Sequence, residues 1–172
     1  MEQRILDELS KIKRKGIGEL KVYLKSNGFF TALCSLKYHL NREGGLAQHS
    51  WNVYQLLKEK NKRYNLNLSE ETMIITGLLH DICKIKQYVQ NAHRQYVYSN
   101  DFPIGHGEKS VILIQRFMQL TKQEVIMIRW HMSVYDVSET GKKDYYQAIK
   151  LYPECFALYT ADHEATIFIE NE

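Results

Sequence analysis

The stretch that decides the fold is residues 74–84, IITGLLHDICK, in which an apolar segment runs directly into a histidine and an aspartate. Ser69 and the two glutamates after it predict the start of a helix through this segment. A serine hydroxyl can accept an orphan amide hydrogen, and acids are favoured at the positive end of the helix dipole. The helix therefore ends on His80 and Asp81. Because a carboxylate buried there without a partner is costly, we expect a cation near Asp81.

Two more helices, far apart in the chain, carry polar residues on apolar faces. A helix is predicted over about 44–64, where apolar residues recur on one stripe, and His49 lies on that stripe. A last helix is predicted to begin near Pro153, a residue favoured in a first turn, and Asp162 lies among its apolar residues. Inward-facing side chains from separate helices of a bundle commonly build metal sites. The pattern predicts that His49 and Asp162 approach the histidine and aspartate of the central stretch.

The rest of the chain predicts an all-α bundle with one hairpin. Helical spacing of apolar residues predicts four further helices, over about 2–14, 17–25, 106–120 and 122–132. Tyrosines and valines around residues 91–93 favour a small β-hairpin between 85 and 99, with His93 in its turn. His106 and His131 lie at the ends of two of these helices and add two imidazoles to the candidate site.

The composition excludes several classes of protein. The chain has 172 residues, 44% of them apolar, with no Pro-, Gly- or Ser-rich stretch, so a single domain over residues 1–172 is predicted. No apolar run approaches the roughly 20 residues needed to span a bilayer, and the N-terminus lacks a signal-peptide pattern. Three cysteines without a CxxC pair favour a reducing, cytoplasmic location. A net charge of +3 is too small to indicate a nucleic-acid binder by itself.

Five segments, in this order, resemble those of the HD superfamily, whose signature is a histidine, a His-Asp pair and a distant aspartate on helices. They read GGLAQHS (44–50), GLLHDICKI (77–85), GHGEKSV (105–111), IRWHM (128–132) and ADHEAT (161–166). The first two are similar to segments of the HD domain in bacterial 3′-to-5′ exoribonucleases. The other three are similar to uncharacterised hydrolases of phages and low-GC Gram-positive bacteria. The resemblance covers about residues 39–166 and implies an HD-domain helical bundle.

The resemblance also implies a metal centre and its catalytic residues. The ligands carried over for one ion are His49, His80, Asp81 and Asp162, and those for a second ion are His106 and His131, with Asp81 as the bridge. Imidazole and carboxylate ligands suit Mn, Fe, Ni, Co or Zn, and one or two such divalent ions would activate a water. Lys84 matches the lysine of the family's HDxxK segment. It is expected to neutralise a phosphoryl oxygen in the transition state, or else to be a solvated cation at the helix end.

Two departures from the family pattern bear on the second ion. Cys83 takes the place of the small residue usual in HDxGK, and Trp130 precedes His131 where some dinuclear members have another histidine. Three residues near the matching segments are candidates for substrate contact: His39, Arg42 and Asp136. His163 lies about 100° around the helix from Asp162 and is expected to point elsewhere.

The leading expectation is a metal-dependent phosphohydrolase that acts on a nucleotide, a phosphoester or a nucleic-acid end. A small phosphorylated substrate is favoured over a long polymer, because the chain has no room for the separate nucleic-acid-binding domain of the exoribonucleases. The alternative is an HD-type diiron oxygenase, which has the same order of ligands and uses O2 on a small polar substrate. A third possibility is a non-catalytic domain with a structural metal. No membrane partner is expected, and the oligomeric state is left open.

Overall fold

The computed structural model describes residues 1–37, 39–134 and 138–170, and these residues form the expected helical bundle with one hairpin. The helices are α1 (Glu2–Leu9), α2 (Ile17–Ser26), α3 (Gly45–Tyr64), α4 (Glu70–Leu79), α5 (His106–Gln115), α6 (Lys122–Arg129), α7 (Glu139–Leu151) and α8 (Glu154–Glu164). A short 3₁₀ helix, Ile82–Lys86, follows α4, and a π-helical turn, Ala165–Ile169, follows α8. No helix in the described part of the chain is long and apolar enough to cross a membrane.

The hairpin consists of β1 (Tyr88–Gln90) and β2 (Tyr96–Tyr98), which pair in antiparallel register. His93 lies in the turn between the strands, where its amide donates to the side-chain oxygen of Asn91 at 2.9 Å. The strands are largely exposed and decorate the bundle at the end of the 3₁₀ helix. The hairpin was predicted correctly, and its strands are shorter than the predicted segment, residues 85–99.

The close approach of α3 and α4 at Gly77 positions part of the site. A Cβ atom at Gly77 would lie 2.8 Å from the Cα of Tyr54 on α3, so any larger residue would force the two helices apart. Gly107 has the same role between α5 and α6, since a Cβ atom there would lie 2.6 Å from the carbonyl oxygen of Ile128. Each glycine lies within one helical turn of a predicted histidine ligand. The two contacts thus bring neighbouring histidine-bearing segments together.

Three elements differ from the sequence prediction. Helix α5 ends at Gln115 and not near residue 120, because the amides of Arg116 and Phe117 bond to carbonyls three residues back. Helix α1 ends at Leu9 and not near residue 14, because the amides of Lys11 and Ile12 bond to carbonyls three residues back, and the Ser10 hydroxyl also bonds to the Leu6 carbonyl. Helix α7 was not predicted. It is capped by Ser138 but buries only Tyr145 and Ala148, so its sequence has no long apolar stripe for periodicity to detect.

Glu124, in the first turn of α6, ties three parts of the bundle together. Its carboxylate, which is fully buried, accepts two hydrogen bonds from the Arg14 guanidinium, at 2.6 and 2.7 Å. It also accepts from the hydroxyl of Thr72 on α4 and from the amide of Thr121, at 3.0 and 2.8 Å. Thr121 was predicted as the N-cap of this helix, and with Glu124 it forms a reciprocal capping box.

We expect the stabilisation from Glu124 to be lost in acid. Burial raises the pKa of Glu124, but hydrogen bonds from Arg14 lower it more, so its pKa in the folded protein lies below the ordinary 4.5. Such a group stabilises the fold above its unfolded-state pKa, and the contribution disappears as the pH falls through the folded-state pKa. Urea denaturation at several pH values measures the unfolding free energy of the wild type and of Glu124→Gln. The difference in favour of the wild type should shrink below pH 4.5.

The control for this measurement is Glu139→Gln, which removes an exposed carboxylate paired with Lys142. Its unfolding free energy should follow that of the wild type at every pH. A difference between wild type and Glu124→Gln that stays constant from neutral pH into acid would contradict the prediction.

Candidate metal centre

All six residues predicted as metal ligands lie in one cluster at the ends and inner faces of five helices. They are His49 on α3, His80 and Asp81 at the end of α4, His106 at the start of α5, His131 just after α6, and Asp162 on α8. Their placement follows from local sequence, because each histidine or aspartate lies on the apolar stripe of its helix or directly at its end. His49, His80 and His131 are completely buried.

Asp81 lies at the centre of this cluster. One carboxylate oxygen, Oδ2, is 3.7 Å from His49 Nε2 and 3.6 Å from His80 Nε2. The other, Oδ1, is 2.7 Å from His106 Nε2 and 3.4 Å from His131 Nε2. Each oxygen therefore faces a different pair of imidazoles. A carboxylate in this position is suited to bridge two cations.

Two of the buried imidazoles are held by main-chain carbonyls. His80 Nδ1 lies 2.9 Å from the carbonyl oxygen of Gly77, and His131 Nδ1 lies 2.6 Å from that of Ile128. A carbonyl oxygen only accepts, so in both rings Nδ1 carries a proton and Nε2 is left facing Asp81. Because both carbonyls lie one turn earlier on the same chain, the helix ends themselves orient these rings.

The ring of His49 is also oriented by an acceptor at Nδ1, but here the acceptor is a side chain. Its Nδ1 lies 3.0 and 3.1 Å from the two carboxylate oxygens of Glu170, at the end of the π-helical turn. The carboxylate also accepts from Asn52 at 2.9 Å. Glu170 was missed by sequence reasoning. Its only sequence signal is an acid shortly after a predicted ligand helix, which is too common to indicate a role.

The residues present fit a divalent metal. The Nε2 atoms of His49, His80 and His131 are buried and have no hydrogen-bond partner among the described residues. Asp162 Oδ1 is 3.1 Å from His49 Nε2, but the two are not aligned for a hydrogen bond. Burial lowers the pKa of His49, but Cys34, Asp162 and Glu170 raise it well above the usual value, so this ring would lose a proton on binding an ion. Buried polar atoms are normally paired, and imidazole nitrogens beside carboxylates are the donors that divalent transition ions prefer. The donor set thus explains why these nitrogens are unpaired.

The electrostatics of the cluster keep Asp81 ionised and His80 neutral. Burial lowers the pKa of His80 to about 4. Burial also raises the pKa of Asp81, but Lys84 and the neighbouring imidazoles lower it more, so that it lies well below its usual value. The same carboxylate overcomes the effect of burial on His106 and raises the pKa of that imidazole to about 10. An ion held by His106 would therefore displace a proton.

Lys84 is not a solvated helix-end cation. Its Nζ is 2.7 Å from Asp81 Oδ2 and its side chain is only 15% exposed. Burial lowers the pKa of Lys84, but the Asp81 carboxylate raises it well above the usual value, so the amine is charged. The positive charge lies at the edge of the cluster, and its catalytic role stays a prediction.

The three candidates for substrate contact have different positions. His39 is half-buried, with Nδ1 at 2.5 Å from a Glu170 oxygen and its ring against that of His49. Its contacts place it behind His49. Arg42 is exposed, on the loop before α3. Asp136 lies outside the described residues.

Two neighbours of the ligands have different positions. His163 was expected to point elsewhere; it packs against Tyr159, with ring centroids 4.4 Å apart, and takes no part in the cluster. Cys83, one of the departures from the family pattern, places a potential ligand atom within 4.8 Å of those of Asp81 and His106. The cysteine therefore lies beside the half of the cluster predicted for the second ion.

The family model of the HD domain matches residues 46–166, a range that includes all six predicted ligands. The chain belongs to the HD-domain family. Comparisons with curated proteins and with solved structures returned no match. HD domains are in general hydrolases of the metal-dependent phosphohydrolase type, and the clustered donors of this HD domain suit a divalent ion. The similarity to phage hydrolases and to exoribonucleases stays a prediction.

Proposed function

We propose that this HD domain is a metal-dependent phosphohydrolase that cleaves a phosphoester of a nucleotide or of a nucleic-acid end. The observation that carries the proposal is the set of three buried, unpaired imidazole nitrogens around the Asp81 carboxylate. When bound, one or two ions of Mn, Fe, Ni, Co or Zn would supply an activated water and positive charge for the phosphoryl oxygens.

The chain's own residues orient the substrate from one side of the cluster. His106, Lys84 and Asp162 keep side-chain exposures of 20%, 15% and 11%, whereas the three unpaired histidines have none. Substrate therefore approaches at this partly exposed edge. The Lys84 ammonium lies there, where it can stabilise negative charge that develops on a phosphoryl oxygen.

A cavity that reaches the cluster at Cys83 supports a nucleotide as the substrate. Its volume is about 530 Å³, and it shares Cys83 with the group of ligand-type atoms around Asp81. Its lining includes three cations, one acid and two aromatic rings: Lys86, Lys109, Arg116, Asp101, Tyr23 and Phe102. Cations attract phosphate groups and an aromatic ring can stack on a base, so the lining suits a phosphorylated aromatic molecule.

An HD-type diiron oxygenase is the alternative function. The observation that favours it is the placement of Asp81 between two pairs of imidazoles, which suits two ions whatever reaction they serve. Such an enzyme would use O2 on a small polar substrate, so iron content and O2 consumption distinguish it from a hydrolase.

Metal analysis of purified protein tests the proposal. The wild type and a His106→Ala/His131→Ala variant are purified without added metal and analysed by elemental mass spectrometry. We expect about two ions in the wild type and about one in the variant, because the variant removes the imidazoles facing Asp81 Oδ1. With the metal found, the wild type should release phosphate or nucleoside from a panel of nucleotides and phosphodiesters.

The matched control is a His93→Ala/His163→Ala variant, which removes two histidines outside the cluster and should keep the wild-type metal content. Absence of metal from the wild type, even after reconstitution with Mn, Ni, Zn or Fe, would overturn the proposal. Iron as the dominant metal, with O2 consumed and no phosphoester cleaved, would favour the oxygenase.

A further inference from the structure

Glu170 is a buried carboxylate that lies outside the residues matched by the HD-domain family. Its residue is 2% exposed, and its oxygens accept hydrogen bonds from the Nδ1 atoms of His49 and His39 and from the amide of Asn52. The match ends at residue 166. The partner of the first ligand histidine is thus supplied by a segment beyond the shared domain.

The π-helical turn explains how Glu170 reaches the cluster. An α-helix advances about 100° per residue, so a residue eight positions after Asp162 would lie about 80° away from it around a regular helix. The turn Ala165–Ile169 closes with a bond from the Glu170 amide to the Ala165 carbonyl, at 3.0 Å. A π-turn is wider than an α-turn and advances less per residue, which rotates Glu170 back towards the face of Asp162.

We propose that Glu170 is a positioning residue of the metal centre, which holds His49 so that its Nε2 atom faces Asp81 and Asp162. The inference rests on the proposed function, because it concerns the same site. An ionised carboxylate only accepts, so it fixes the proton of His49 on Nδ1. Ligand histidines are commonly held in this way, and loss of the partner weakens metal binding.

The surroundings of Glu170 support this role over one in packing alone. Asn52 donates to one oxygen of the carboxylate and His39 contacts the other, which holds both oxygens in place beside His49. The two main-chain carbonyls that hold His80 and His131 serve the same purpose. His49 lies in the middle of α3, and its ring finds its acceptor in this side chain from the end of the described chain.

The first test is the affinity for Zn²⁺ or Mn²⁺ alone, measured by chelator competition on protein stripped of metal. We expect Glu170→Ala to bind about 10- to 100-fold more weakly than the wild type. Glu170→Gln, which keeps the volume and one acceptor oxygen, should lose less. The matched control is Glu164→Gln. Glu164 lies six residues before Glu170, pairs with Lys60 at 2.7 Å and does not touch His49.

The second test is nitrogen NMR of histidine-labelled protein without metal. The spectra are recorded at a pH high enough for His49 to be neutral, because Cys34, Asp162 and Glu170 outweigh burial and hold its pKa well above the usual value. Under these conditions His49 of the wild type should show the tautomer with its proton on Nδ1, and Glu170→Ala should show a mixture of tautomers. Circular dichroism establishes that each variant is folded, and if Glu170→Ala is not, Glu170→Gln decides. Wild-type metal affinity together with an unchanged His49 tautomer in the folded variant would overturn the inference.

The two readouts separate this inference from the proposed function. If the wild type binds metal but cleaves no phosphoester, a loss of affinity in the Glu170 variants still supports the positioning role. If the wild type binds no metal, the proposed function fails, and the tautomer of His49 alone decides whether Glu170 orients the ring.

Discussion

An Asp81→Asn variant is expected to retain only traces of metal and to hydrolyse substrate at least about a thousandfold more slowly than the wild type. The substitution keeps the volume of the side chain but removes the charge shared by four imidazoles and one ammonium. The new amide group also points a donor at His106 or Lys84, which are themselves donors. Elemental analysis and initial rates with the preferred nucleotide measure both effects.

Stability separates loss of the centre from loss of the fold. Asp81→Asn leaves the largely buried ammonium of Lys84 without its carboxylate, which should cost about 3–5 kcal/mol of unfolding free energy. A second variant, Asp81→Asn/Lys84→Met, removes both charges, so it should recover stability while metal binding stays lost. Asp7→Asn, at an exposed position, is the control. Full metal content and rate in Asp81→Asn would contradict the proposed centre.

Glu124→Ala is expected to lower the unfolding free energy by about 3–5 kcal/mol, the largest effect on stability away from the site. The variant leaves the Arg14 guanidinium without its two strongest hydrogen bonds and leaves the Thr72 hydroxyl and the Thr121 amide without an acceptor. Urea denaturation followed by tryptophan fluorescence measures the change. Metal content should be unaffected, because none of these partners belongs to the ligand cluster.

Glu71→Ala is the matched control. Glu71 also pairs with Arg14 and accepts from the Lys13 amide at 2.6 Å, but its side chain is 30% exposed. Solvent screens the ion pair and can replace the hydrogen bond, so the loss should cost no more than about 1 kcal/mol. Equal effects of the two variants would show that burial of Glu124 does not strengthen its interaction with Arg14, contrary to the prediction.

The sequence predicted the elements whose signals are local. Ser69 and Thr121 begin helices as predicted, since an N-cap needs only a hydroxyl and the amides that follow it. The apolar stripe beside His49 predicts both the helix and the inward position of the histidine. Since every predicted ligand lies on such a stripe or at a helix end, periodicity and the family signature were enough to place the six residues together.

Features that depend on residues far apart in the chain were missed. Arg14 and Glu124 meet only after α1, α2 and α6 have packed, and neither has a local pattern that names the other. Helix α7 buries too few residues to produce a stripe. Glu170 was hidden by the π-helical turn, because α-helical spacing places it away from the face on which it lies.

The glycines at helix contacts have a consequence for which ions the centre accepts. Gly77 and Gly107 put main chain against the neighbouring helix, so the separation of the imidazoles is set by backbone contact. Such contact yields much less than flexible side chains do. Zinc takes nitrogen ligands at about 2.0–2.1 Å, whereas calcium needs six to eight oxygens at about 2.3–2.6 Å. A fixed spacing of the imidazoles would then add to the preference of these donors for small borderline ions over large hard ones.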